Sequence, residues 1–102
     1  MRKNFRTYYL AVEFYRECAP LKLPRHLKDQ LLRASSSIVL NLSEGSGKRT
    51  RKDQRKYFHQ AFGSLRETQA IFDLAPNEDC KLEKLADILA AHVYRLIKSC
   101  EE

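Results

Sequence analysis

Six basic side chains lie within nine consecutive positions and are the first candidates for chemistry. They are Lys48, Arg49, Arg51, Lys52, Arg55 and Lys56. If a helix begins here, these cations face the positive end of its macrodipole, and those four residues apart repel each other. Because this placement opposes local stability, it indicates an anionic partner, for which the phosphates of RNA or DNA are the obvious candidate. The alternative is a solvated helix start that only aids solubility.

A polar stripe in the preceding segment is the second candidate. Its members Arg33, Ser37, Asn41 and Glu44 follow one another at four, four and three residues, which places them on one side of a helix. In the next helical segment Gly63 predicts a close helix crossing, with two polar residues beside it. Since polar groups beside an apolar seam are usually hydrogen-bonded, we expect a buried network. It comprises Arg33, Ser37, Asn41, Glu44, Ser64 and Glu67. The alternative is an exposed polar face.

Residues for catalysis, metal binding or cofactor binding are not evident. His26, His59 and His92 lie in three different segments, without a carboxylate or cysteine at ligand spacing. His92 falls on an apolar stripe and is expected to be a core histidine. Residues 45–49 contain two glycines but lack the spacing and the preceding strand of a phosphate-binding loop. We therefore predict no enzyme, no metal and no cofactor.

Length and composition predict a single domain over residues 1–102 in a chain of 102 residues. A hydrophobic fraction of 43% argues against disorder. No apolar run approaches the ~18 residues of a membrane span, and no secretory signal follows the basic N-terminus. Cys18, Cys80 and Cys100 are widely spaced, which predicts reduced thiols in a cytoplasmic protein.

Four segments repeat apolar residues at steps of three and four, the period of an amphipathic helix. The first two stripes are Phe5, Tyr8, Val12, Tyr15 and then Leu27, Leu31, Ala34, Ile38, Leu42. The last two are Phe58, Ala61, Leu65, Thr68, Phe72, Ala75 and then Leu82, Leu85, Leu89, His92, Leu96. Long amphipathic helices with short connections predict an all-α, antiparallel up-down-up-down four-helix bundle.

Capping residues predict the ends of the first two helices. Asn4 would cap the first helix, which runs to about Glu17. Pro24 fits the first turn of the second helix. That helix would end at Gly45, where glycine allows a left-handed backbone.

The ends of the last two helices are predicted in the same way. Thr50 followed by Asp53 is a capping-box pattern and starts the third helix near Arg51. Pro76 would stop it, and Asn77 would cap the fourth helix.

The second and third segments also carry apolar residues away from their stripes. These are Leu32, Val39 and Leu40, and then Tyr57, Phe62 and Ile71. Such residues either widen the contact with the core or form an interface between subunits. On the second alternative Leu32, Val39, Phe62 and Ile71 contribute to an intersubunit surface.

Charge is unevenly distributed around the overall net charge of +6. Residues 1–32 carry a net +4, residues 33–69 a net +5 and residues 70–102 a net −3. The basic part of the chain includes the six-residue cluster, which is consistent with a polyanionic partner.

Two stretches resemble a known family, the four-helix bundle proteins encoded in intervening sequences of bacterial 23S rRNA genes. They are residues 27–38 (LKDQLLRASSSI) with residues 41–45 (NLSEG), and residues 61–67 (AFGSLRE). The resemblance is close over about residues 20–75 and looser in the last helix. It implies a ring, typically a homopentamer, with no known enzymatic activity. The family is distantly similar to the accessory protein of diversity-generating retroelements, a basic pentameric barrel that binds nucleic acid and a reverse transcriptase. The short first helix and first connection depart from many members.

The sequence therefore predicts a cytoplasmic, non-enzymatic homo-oligomer that binds the backbone of RNA or DNA through the six basic residues. The alternative is a protein-binding adaptor whose basic cluster meets an acidic partner. Steep weakening of binding by salt would distinguish phosphate binding from the adaptor.

Overall fold

The computed structural model describes residues 5–75 and 80–101. Over these residues the chain forms four α-helices and no strand. They are α1 (Phe5–Cys18), α2 (Arg25–Ser46), α3 (Arg51–Leu74) and α4 (Cys80–Ser99). The all-α prediction is confirmed. Asn4, Pro76 and Asn77, which were predicted to bound helices, lie outside the described residues. None of the described helices has both the length and the apolar character needed to cross a membrane.

Contacts between helices define a bundle. Facing pairs across α2 and α3 are Arg33–Glu67, Ser37–Ser64 and Gly45–Phe58. Those across α3 and α4 are Arg51–Ser99, Phe62–Tyr94 and Gln69–Asp87. In both sets the residue number rises on one helix as it falls on the other, so these neighbours run antiparallel. Helix α1 closes the bundle by contacting α2 and α4.

The core follows the predicted stripes on α2 and α3. All five stripe residues of α2 are buried, and so are those of α3 except Ala75, which is half-buried. The burial of these residues confirms the buried faces that their regular helical spacing predicts.

The buried faces of α1 and α4 differ from the predicted ones. On α1 the buried residues are Thr7, Ala11, Phe14 and Cys18, whereas Tyr8, Val12 and Tyr15 are half-buried. On α4 they are Leu82, Ala86, Leu89, Val93 and Ile97, followed by Cys100 just after the helix, whereas Leu85, His92 and Leu96 are half-buried. Both helices are therefore rotated toward a neighbouring apolar stripe, and His92 borders the core rather than lying in it. On α1 the rotation places the Phe14 ring 6.3 Å from the Phe72 ring.

The apolar residues outside the stripes are of two kinds, since some contact the core and others lie partly open to solvent. Ile71 is 2% exposed and belongs to the core, so the prediction that it faces another subunit is wrong. Phe62 is half-buried beneath the Arg66 guanidinium, 5.0 Å from its ring centre. On α2, by contrast, Leu32 and Val39 are half-buried, and Leu40 is 65% exposed.

The close helix crossing lies at Gly45 and not at Gly63. A Cβ on Gly45 would meet Phe58 Cε1 at 2.8 Å and Tyr57 Cβ at 3.0 Å, whereas one on Gly63 would meet nothing within 4 Å. The predicted left-handed helix end is also wrong, because no described glycine has a positive φ. Helix α2 continues through Gly45 to Ser46.

Candidate nucleic-acid interface

The connection between α2 and α3 positions the basic cluster. Thr50 is extended, with φ −105°, and its Oγ1 accepts a hydrogen bond of 3.1 Å from the backbone N–H of Asp53. This cap satisfies a backbone donor that the first helical turn leaves unpaired. It starts α3 at Arg51, as predicted, and Pro24 lies at the N-cap of α2 rather than within its first turn.

Two of the six cations have an ion-pair or hydrogen-bond partner among the described residues. Lys48 Nζ lies 3.2 Å from a Glu44 carboxylate oxygen and 5.1 Å from the centre of the Tyr57 ring. The hydrogen bond to Glu44, together with the nearby Tyr57, raises the pKa of Lys48. Arg51 donates a hydrogen bond to the Ser99 carbonyl, at the helix end where the macrodipole favours a cation. Arg51 therefore also ties α3 to α4.

The other four cations form no ion pair with any described residue. Arg49, Lys52 and Lys56 are exposed, and Arg55 is half-buried. Lys56 Nζ lies 5.9 Å from the Tyr57 ring centre, on the same aromatic residue that Lys48 contacts. The start of α3 thus presents positive charge that the described chain leaves uncompensated.

The polar stripe of α2 meets α3 through its serines. Ser64 Oγ donates to Ser37 Oγ at 3.0 Å, and Asn41 Nδ2 donates to the same hydroxyl at 3.0 Å and to the Ser37 carbonyl at 2.9 Å. All three residues are half-buried. Asn41 is therefore linked to α3 through Ser37, whose hydroxyl also accepts the bond from Ser64.

The charged members of the stripe behave differently. Arg33 lies 3.5 Å from Glu67, and both side chains are largely open to solvent. Glu44 pairs with Lys48 and not with α3. The antiparallel register explains this separation, since Glu44 lies opposite the start of α3 and Glu67 lies toward its end.

Tyr57 and Gly45 contribute to the interface in ways that the sequence analysis did not predict, although the helical position of Gly45 indicates its contact. Tyr57 follows the basic run directly, but its contact with Lys48 depends on the turn between the helices. Gly45 allows the Phe58 ring to lie against the α2 backbone, and thereby fixes the base of the turn.

The histidines remain apart. His26 and His59 are exposed on α2 and α3, and His92 is half-buried on α4. Desolvation, followed by the positive charges of Arg95 and Arg6, lowers the pKa of His92. Residues 5–75 and 80–101 contain no group of three or more His, Cys, Asp or Glu placed to hold a metal ion.

Comparison with known proteins gives one match. The family model described as 23S rRNA-intervening sequence protein matches residues 5–102, which extends the likeness through α1 and α4. No curated protein and no solved structure matches the chain significantly. With almost its whole length matched, this chain belongs to the 23S rRNA-intervening sequence protein family.

Proposed function

We propose that this protein is a non-enzymatic, homo-oligomeric bundle that binds RNA or DNA through the sugar–phosphate backbone. The observation that carries the proposal is the set of cations at the start of α3 without an ion-pair partner among the described residues. They are Arg49, Lys52, Arg55 and Lys56. Such a patch attracts polyanions, because each phosphate contact releases condensed counterions. Lys48 lies at its rim, where Glu44 already compensates part of its charge. Arg51 adds charge to the patch while bonded to α4.

The surroundings of the patch favour contacts to the backbone over readout of bases. Tyr57 is half-buried, and the ammonium groups of Lys48 and Lys56 lie 5.1 Å and 5.9 Å from its ring centre. Phe58 is 4% exposed. Burial keeps Phe58 from stacking on bases, and a base that stacked on Tyr57 would compete with the two lysines for its ring. Contacts to phosphates position a nucleic acid without specifying its sequence, so we expect little sequence preference.

Assembly into a ring, a pentamer as the resemblance to the family implies, is the second part of the proposal. It is supported by apolar side chains on α1 and α2 that the bundle leaves partly open: Tyr8, Tyr9, Val12, Tyr15, Leu32, Val39 and Leu40. A second copy is the simplest cover for such a surface. One basic patch per subunit would then raise affinity by ~10²–10⁴ through multivalency. A monomer in light scattering at micromolar concentration would contradict this part.

The cytoplasm is the proposed location. Cys18 and Cys100 are buried free thiols, which is the usual state of cysteine in a reducing compartment.

Charge reversal tests the binding surface. The variant Lys52→Glu/Lys56→Glu keeps Arg51 and its bond to α4, and places acids in the first turns of α3, where the macrodipole favours them. The matched control is Lys22→Glu/Lys84→Glu, which changes the net charge equally at exposed positions near the opposite end of the bundle.

We expect the first variant to lose binding to mixed-sequence RNA and DNA at ~50 mM salt, and the control to retain most of it. Equal loss in both variants would mean that only net charge matters. If the unaltered protein bound neither polymer, the adaptor interpretation would replace the proposal.

A further inference from the structure

Gly63 lies in the interior of α3, and the described chain gives no reason for a glycine there. Its φ is not positive, so the backbone does not require glycine. A Cβ added to it would meet nothing within 4 Å, so packing within the described bundle does not require one either. Glycine is a poorer helix former than every residue except proline. A molecule outside the chain that approaches the helix backbone closely would explain a glycine at this position.

Basic residues surround Gly63 on the outer face of α3. Lys52, Lys56 and His59 precede it by eleven, seven and four residues, which places all of them on one exposed stripe. Arg66, one turn further on, is exposed; its guanidinium contacts the Phe62 ring and Gln69 Oε1.

Two sets of carboxylates lie near this face. Glu67 lies 3.5 Å from Arg33, which offsets part of its negative charge. Arg66 lines a pocket together with Asp73, Glu83 and Asp87. The outer face of α3 from Lys52 to Arg66 is therefore a cationic stripe that ends at this acidic pocket, with an exposed stretch of helix backbone at Gly63.

We propose that a nucleic-acid strand runs along this outer face of α3, from the basic cluster to Arg66, and presses its sugar–phosphate chain against the helix at Gly63. The inference rests on the proposed function and extends its binding surface beyond the cluster. Charge complementarity selects the occupant, because the stripe is cationic and a polyphosphate is its natural counterpart. The fourteen residue steps from Lys52 to Arg66 span about 21 Å of helix. That length corresponds to about six nucleotides at a rise of 3.4 Å per strand.

Leucine at Gly63 tests the close approach without endangering the fold. Gly63→Leu places a bulky side chain in open space and improves helix propensity. The matched control Ala70→Leu adds the same side chain two turns further along the same exposed face, beyond Arg66. Arg66→Gln removes the last cation of the stripe.

Binding is measured by fluorescence anisotropy with a mixed-sequence single-stranded RNA of ~20 nucleotides at several salt concentrations. We expect Gly63→Leu to weaken binding at least tenfold, and Ala70→Leu to match the unaltered protein. Arg66→Gln should make the slope of log K against log salt less steep by ~0.7, because one phosphate contact with a single strand is lost. Light scattering on each variant reports the oligomeric state.

The outcomes separate this inference from the proposed function. If Lys52→Glu/Lys56→Glu abolishes binding while Gly63→Leu and Arg66→Gln bind normally, the path along α3 is wrong and the cluster alone binds. If Gly63→Leu changes the oligomeric state, a second copy occupies this face and the inference is overturned. If the cluster variant binds normally, the proposed function itself fails.

Discussion

Replacing Gly45 with alanine tests the tightest contact between α2 and α3, at the base of the basic connection. The new Cβ would lie 2.8 Å from Phe58 Cε1 and 3.0 Å from Tyr57 Cβ. The Phe58 ring cannot move aside easily because it is 4% exposed, and the Cβ of Tyr57 can move only with its backbone. The helices must therefore separate locally.

Gly63→Ala supplies the matched comparison, since its Cβ meets nothing within 4 Å. Replacing a glycine with alanine at a compatible helical position stabilises a protein by about 0.4–1 kcal/mol. At Gly45, which lies in the last turn of α2, the stabilisation from replacing glycine is no larger than at Gly63. Overpacking at Gly45 costs about 1–3 kcal/mol. We therefore expect Gly63→Ala to be more stable than the unaltered protein, and Gly45→Ala to be less stable than Gly63→Ala by about 1–3 kcal/mol.

Thermal unfolding followed by circular dichroism, at one fixed protein concentration, measures the difference. For a domain of this size ~1 kcal/mol corresponds to about 4–8 °C in Tm, so the two variants should be clearly separated. Equal stabilisation by both substitutions would show that α2 and α3 do not approach closely at Gly45. Destabilisation by Gly63→Ala alone would reverse the assignment of the crossing.

Three further predictions concern the interior and its borders. A double-mutant cycle of Ser37→Ala and Ser64→Ala, read by urea unfolding, should give a coupling energy of about 0.5–1.5 kcal/mol, and no coupling would mean that the hydroxyl contact is not made. Burial raises the pKa of the Cys18 thiol to about 12, so thiol reagents at pH 8 should modify Cys18 only after unfolding, and rapid labelling of the native protein would contradict its burial. Because the pKa of His92 is lowered, folding favours its neutral form; the stability present above the unfolded pKa of about 6.5 should decrease as the pH falls below it, through the lower pKa of the folded protein. Denaturation of His92→Gln should show a smaller decrease, and an equal one would exclude the imidazole as its source.

Periodicity predicts the buried faces of α2 and α3 well, but those of α1 and α4 less well. On α1 the stripe through Tyr8 and Val12 competes with the one through Ala11 and Phe14, and both have helical spacing. Hydrophobic period alone cannot choose between adjacent apolar stripes. The choice depends on packing across the bundle, where Phe14 meets a ring of α3.

Gly45 and Gly63 show which helix contacts can be predicted from the sequence. Gly45 continues the buried stripe of α2, three residues after Leu42 and seven after Ile38, so its position at a helix contact could have been predicted. Gly63 lies two residues from both Ala61 and Leu65, which places it opposite the buried face of α3. The predictions of a helix end at Gly45 and a close crossing at Gly63 did not use the positions of these residues relative to the buried stripes, and both predictions were wrong.

The residues of the candidate interface could be predicted from the sequence, but the partners of its cations could not. The basic cluster and its helix cap are local features, and Thr50 caps α3 as its sequence indicates. The pairing of Lys48 with Glu44, and the bond from Arg51 to the end of α4, depend on how the helices pack. These contacts decide which cations remain available, and they come from tertiary structure.

The most direct test of nucleic-acid backbone binding is the salt dependence of affinity for a mixed-sequence single-stranded RNA. The four cations without an ion-pair partner among the described residues predict a slope of log K against log salt of about −3 for one patch, at −0.7 per phosphate contact, and a steeper slope if several subunits bind one strand. The slope should also be the same for RNAs of different sequence. A slope near zero, or the absence of binding at ~50 mM salt, would contradict the account.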